Sequence, residues 1–472
     1  MNLDNSRRAI AGIAVALGLA MPVASTAQTL PDALVKAYES NPTLRISRSR
    51  LLQADEQVAQ ARSDLLPDIT ANGSVGAVSE FTRQGRTVGP EDTTQLQGGA
   101  SIDGSITLGS FGRTQAQIDS AVASVLAARS SLTGVEQDVL LDAATAFMDV
   151  RRDIRFVDIA RNNVRVINEQ LRATQDRFDV GEVTRTDVSQ AEAALAAARA
   201  NLAASTGSLS QSRAAFLAAV GEEATDLAPP PPIPDLPASE AAAEAVAMRE
   251  HPVLVSARYT EEAAMHDVEL AKAGLNPLLT LNGSVYYDHA QAAFHDTSTN
   301  EDTLGALIQL QIQVPLYRGG ELDSIVRQAE AIVAQRRAET QDTARTIRQS
   351  VQLAWSGLAV ARASIRANQE QIDAAEVAFN GVVEEAKYGE RTTLDVLDSE
   401  QTLLEARSDL VSAQRDEFVA AYNLLSAMGL LTVAHLGLTV TPYDPTANYE
   451  YVRTNPPNED GLRLEKIIDR WN

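Results

Sequence analysis

The sequence predicts an α+β membrane protein in which very long helices continue a small antiparallel sheet. Three observations carry that fold class: an internal duplication, a sustained seven-residue apolar repeat, and four short segments whose polarity alternates with a period of two. The chain opens on Arg7 and Arg8, followed by the apolar run from Ala9 to Ala20 and the small residues Ser25-Thr26-Ala27. Residues 1–27 therefore read as a secretory signal, cleaved before Gln28. No later stretch approaches the ~18 consecutive apolar residues of a membrane helix, and cysteine is absent. Removing the signal leaves a formal charge one unit more negative than the −23 of the full chain. That acidity argues against nucleic acid, whose recognition requires a basic surface, and favours cationic solutes in any lumen the chain encloses. A solvated acidic surface is the simpler meaning of net charge taken alone.

Two copies of one pattern run at an offset of about 208 to 210 residues. Asn41-Pro42 recurs as His251-Pro252, Pro67 as Pro277, and Ala71-Asn72-Gly73-Ser74-Val75 as Leu281-Asn282-Gly283-Ser284-Val285. Further on, Gly181 matches Gly389, Ala198-Arg199 matches Ala406-Arg407, and Gly221 matches Gly429. The first repeat is expected over 28–228, a stiff proline-rich linker over 229–237, the second repeat over 238–440, and a periplasmic, peripheral tail over 441–472. Each repeat reads helix, strand pair, very long helix, turn, helix. No proline occurs between Gly112 and Asp179, and Val150, Val157, Val164, Leu171 and Phe178 stand seven apart. Leu358, Ile365, Ile372, Phe379 and Ala386 repeat that seam in the second copy. A heptad sustained over several turns is a coiled-coil seam, and a helix of about 65 residues is roughly 100 Å long, far more than a globular core needs.

The strand pairs are expected at 68–78 with 99–108 and at 278–288 with 306–315. In the first, Ile69, Ala71, Gly73, Val75 and Ala77 alternate with Thr70, Asn72, Ser74 and Gly76. In the last, Ile308, Leu310, Ile312 and Val314 alternate with Gln309, Gln311 and Gln313. Such strands suit an outer-membrane barrel with lipid outside and water inside, and they equally suit a half-buried soluble sheet. Four strands cannot close a membrane barrel, so a barrel requires several chains. The joining segments 79–95 and 289–303 read as polar outer loops.

Together these elements resemble the TolC family of outer-membrane efflux and secretion ducts, over nearly all of the mature chain. The resemblance rests on Asn41-Pro42-Thr43-Leu44, on Val314-Pro315-Leu316-Tyr317-Arg318-Gly319-Gly320 entering a helix, and on Tyr388-Gly389-Glu390-Arg391-Thr392-Thr393-Leu394-Asp395-Val396-Leu397-Asp398. The segment from Arg177 to Val188 is similar to the branch that serves type I protein secretion. The resemblance implies a homotrimer whose four strands per chain make a 12-stranded antiparallel outer-membrane β-barrel, continued by a 12-helix periplasmic tunnel. It also implies passive conduction, with an inner-membrane transporter of the ABC or RND type and a periplasmic adaptor as partners and outer-membrane lipid around the barrel. It implies no cofactor.

The resemblance carries specific residues with it. Asp395 and Asp398 match the acidic ring of the family's closed aperture, and their i, i+3 spacing puts both carboxylates on one helical face. Such rings select cations and are blocked by divalent ions. Asp395 also fits a capping box with Thr392, as Asp187 does with Thr184. Arg391 matches a position that links neighbouring helices and holds the aperture shut, with Thr186 and Asp187 matching its partners; a surface arginine without a fixed partner is the other reading. Val180-Gly181-Glu182 and Tyr388-Gly389-Glu390 match the tips that meet the adaptor, although glycine there also simply ends a helix. The chain departs from the family in carrying Ala386 where the aperture can have a tyrosine. No nucleophile, metal or phosphate motif stands out, and the five histidines show no ligand spacing. A non-conducting coiled-coil tether is the alternative the heptads allow, but such a tether has no need of amphipathic strands.

Overall fold

The computed structural model describes residues 27–82, 91–294 and 297–454. The expected signal segment lies outside the described residues apart from Ala27, and the end of the tail, 455–472, lies outside them too.

The first helix of each expected repeat is two helices. Helix α1 (Leu30–Ser40) begins with a capping box between Thr29 and Asp32 and ends at Asn41, whose side chain then caps α2 (Pro42–Ser63) by accepting from the Thr43 N–H. The second copy does the same: α5 (Glu240–Glu250) ends at His251, whose Nδ1 accepts from the Val253 N–H to start α6 (Pro252–Ala273). The repeated Asn-Pro and His-Pro pairs are therefore helix breaks, since proline supplies a first-turn residue but cannot continue the preceding helix. The long helices are α3 (Arg113–Asp179) and α7 (Glu321–Lys387), each of 67 residues. They turn back into α4 (Arg185–Val220) and α8 (Thr393–Ala427).

Helices α3 and α4 pack as one pair and α7 and α8 as another, while α3 also touches α2, α6 and α8. The seam residues Val150, Val157 and Leu171 are buried, as are Leu358, Ile372 and Ala386. Alanine at 191 and 406 is fully covered, which lets the paired helices approach closely. The thickest core lies where α1 and α5 wrap the junctions, around Leu34, Phe147, Phe216, Leu254, Leu424 and Met428, with the Phe147 and Phe216 rings 6.4 Å apart. Here the turn after α8 needs glycine. Gly429 has φ 82°, and a Cβ on it would stand 2.7 Å from the Cα of His251.

The sheet has the order β1-β2-β3-β4, all neighbours antiparallel, from β1 (Asp68–Thr82), β2 (Glu91–Gly109), β3 (Leu278–Phe294) and β4 (Thr297–Gln313). Its register brings the expected apolar sets together: Ala71 faces Ile102, Ile102 faces Val285, Leu281 faces Leu310 and Tyr287 faces Leu304. The polar set is likewise continuous, and Asp103 accepts from Asn72 and from Ser101. Both outer strands leave one edge unpaired within the chain.

Two expectations need correction. The described residues of the segments 79–95 and 289–303 are strand rather than loop, because pairing continues to Thr82↔Glu91 and Phe294↔Thr297; residues 83–90 and 295–296 lie outside the described residues. Backbone ladders need no apolar side chains, so the strands run on into polar sequence. The described part of the tail is not peripheral: α9 (Ala447–Thr454) docks on α2, with buried Asn448 donating to Asp55 at 3.0 Å, and the Arg48 guanidinium lies over the rings of Tyr38 and Tyr443.

Candidate functional site

The four long helices end together at two tips with the same backbone. After α3 the Gly181 φ is 82°, and the Glu182 N–H donates to the Arg177 carbonyl at 2.9 Å. After α7 the Gly389 φ is 79°, and the Glu390 N–H donates to the Glu385 carbonyl at 3.1 Å. These are six-to-one bonds of a helix C-terminus closed by a left-handed glycine. They present Val180 and Tyr388 to solvent, 71% and 82% exposed.

Each return helix then starts on a complete capping box. The Thr184 N–H donates to Asp187 at 2.7 Å, and the Thr392 N–H donates to Asp395 at 2.8 Å, while each aspartate's own N–H donates to the threonine hydroxyl. These bonds hold both carboxyls below the usual range: at Asp187 the Thr184 hydroxyl acts first, and at Asp395 the Thr392 backbone does, with the Arg391 charge adding to it. Both carboxylates thus stabilise the tips above the ordinary carboxylate pKa, and that contribution is lost as pH falls through the lowered native values. Asp398 stands one turn further on, exposed, and its side chain makes no hydrogen bond or ion pair among the described residues.

Arg391 does not reach Thr186 or Asp187 within the chain; its Nε donates to Glu385 at 2.7 Å. Thr186 lies exposed in the first turn of α4. The direct link between the tips is instead Arg177, which donates from α3 to the Ala386 carbonyl on α7 at 3.2 Å. Below it, Leu397 of α8 inserts among Ile167, Leu171, Val188 and Ala191 of the other pair. Sequence reading missed this link, because nothing local marks two positions 209 apart as partners. It also missed Glu400, only 5% exposed on α8, whose carboxyl burial pushes above the usual range against the pull of Arg407 and Arg165. The start of α8 therefore carries three carboxyls in different settings: Asp395 caps the helix, Asp398 is exposed, and Glu400 is buried on the side that packs against the other helices.

Among the described residues no cluster of histidine, aspartate and glutamate is arranged to hold a metal, and no helix is long and apolar enough to cross a membrane.

Comparison with known proteins bears on the family and the fold. The family described as outer membrane efflux protein matches residues 33–222 and 245–430. The outer membrane efflux protein BepC of Brucella suis is 35% identical over 430 residues, covering 91% of each chain. The alkaline protease secretion protein AprF of Pseudomonas aeruginosa is 26% identical over 68% of each chain. In fold, the crystal structure of the outer membrane protein VceC of Vibrio cholerae superimposes with a TM-score of 0.70 at 22% identity, covering 85% of this chain and 96% of that one.

Proposed function

The chain belongs to the outer membrane efflux protein family, and from that premise we propose that it forms a homotrimeric exit duct, serving an inner-membrane pump and a periplasmic adaptor. The family is one of outer-membrane channels rather than enzymes, and its members sit in the outer membrane and extend into the periplasm. The observation that carries the duct is the sheet. It is four strands wide, open at both edges, and bears Val75, Leu304 and Ile308 almost fully exposed on alternate positions. Open edges are not tolerated in hydrocarbon, so β1 of one copy must meet β4 of the next. Three copies close a 12-stranded barrel, and the helix pairs below it make a tunnel of 12 helices.

The tips then converge near the threefold axis. Asp395 and Asp398 ring the constriction, and Arg391 with Thr186 and Asp187 ties neighbouring pairs when copies adjoin. Val180-Gly181-Glu182 and Tyr388-Gly389-Glu390 offer exposed backbone and side chains to an adaptor. Cargo crosses passively down this path, and the pump supplies energy. The names of relatives span efflux and protease secretion, so either cargo class is compatible with the same duct. The test is genetic. Deleting the gene should abolish export of one substrate class while leaving the ATPase or proton cycle of the partner pump intact. Export that survives deletion, in a strain with no second family member, would remove the duct.

A further inference from the structure

A cavity of about 520 Å³ lies where α8 ends and α6 begins, bounded by α3 on one side and α7 on the other. It is remote from the tips and plays no part in the aperture. Three independent features mark it as a built site.

Gln137 of α3 lines the cavity at 2% exposure, and its Nε2 has no hydrogen-bond partner among the described residues. A buried amide donor left unpaired forfeits its hydration without a replacement hydrogen bond, so a ligand acceptor that reaches it recovers that loss. Asp138 stands beside it, and among the described residues no arginine or lysine lines the cavity. Desolvation pushes the Asp138 carboxyl upward, and the neighbouring Asp142 charge adds to the shift. His251 brings no compensating charge, since burial favours its neutral form and its Nδ1 already accepts from the Val253 N–H. Finally, both long helices carry a glycine at the wall. A Cβ on Gly357 would meet nothing within 4 Å, and one on Gly134 would meet only the Val253 side chain at 3.6 Å. Glycine inside a helix is unfavourable relative to alanine, and here the two glycines leave open the space that side chains would fill.

We propose that this cavity binds an organic monocation carrying a hydrogen-bond acceptor on an apolar body, with Asp138 facing the charge and Gln137 donating to the acceptor. Asn423 and Ser350 supply further polar contacts at the rim, while Val253, Ala354 and Ala420 cover the apolar part. A volume of this size matches a drug-sized molecule. Binding here is independent of conduction, so the site stands or falls separately from the duct.

The test is fluorescence anisotropy with rhodamine 6G, an apolar monocation with an ester carbonyl, titrated against the full-length purified protein. Wild type should bind saturably, one dye per chain. Asp138→Asn should weaken binding at least about tenfold, as expected when one charge partner is removed in a partly desolvated site. Gly357→Leu, which fills the cavity without touching charge, should weaken it comparably, and Gln137→Leu by a smaller factor. Asp409→Asn removes a charge from exposed α8 surface and should change nothing. Titrations of Asp138→Asn and Gly357→Leu that superimpose on wild type would overturn the site, as would a wild type that takes up dye without saturation.

Discussion

Glu400 and Asp395 sit about one and a half turns apart on the same helix and titrate in opposite directions for identifiable reasons. Asp395 accepts from the Thr392 backbone and hydroxyl, which stabilises its charged form. Glu400 is packed between the helix pairs, and burial disfavours its charge more than Arg407 and Arg165 restore it. A carboxyl whose native pKa is raised destabilises the fold once pH climbs above its unfolded value, and the penalty is complete above the native value. Glu400→Gln should therefore raise the unfolding midpoint at pH 8, by on the order of 1 kcal/mol, and lose that advantage below the ordinary carboxylate range. Thermal scans in detergent from pH 4 to pH 8 would show it. An equal effect at both ends of the range would mean that Glu400 is not held by burial.

Sheet and helices differ in how much of them could be read in advance. Period-two alternation located all four strands, and the paired register of Ile102 with Val285 and of Leu281 with Leu310 joins the apolar face across both repeats. Strand ends were not legible, because beyond the apolar band the backbone ladder continues between 79–82 and 91–94, where the sequence no longer alternates apolar with polar. The long helices were legible as uninterrupted heptads, and their tips as glycine followed by a capping threonine. What joins one tip to the other was not, since Arg177 finds a backbone carbonyl that no side-chain pattern announces. The proposed lipid face has its own test at Ile308, 81% exposed on β4. Ile308→Arg should destabilise the folded protein in bilayers by about 2–4 kcal/mol if that position lies near the midplane, whereas Gln309→Arg, on the polar face, should be nearly neutral. Equal tolerance at both positions, measured by denaturant unfolding in liposomes, would place the sheet outside lipid.

A single chain holds a finished set of helical hairpins but a sheet with two open edges, and in the proposed duct assembly resolves that mismatch. Helix pairs bury their seams internally, while β1 and β4 each keep a free edge. Closing three copies would satisfy those edges at one end and gather six aspartates, from 395 and 398, at the other. The most direct measurement is single-channel conductance of the purified protein in planar bilayers, wild type beside the double variant Asp395→Asn with Asp398→Asn, with and without a divalent cation. A duct closed by an acidic ring predicts small cation-selective openings in the wild type, blocked by the divalent ion, with the block relieved in the variant. Absence of any conductance from folded, membrane-inserted protein would contradict the duct, and block that persists unchanged in the variant would remove the two aspartates from the constriction.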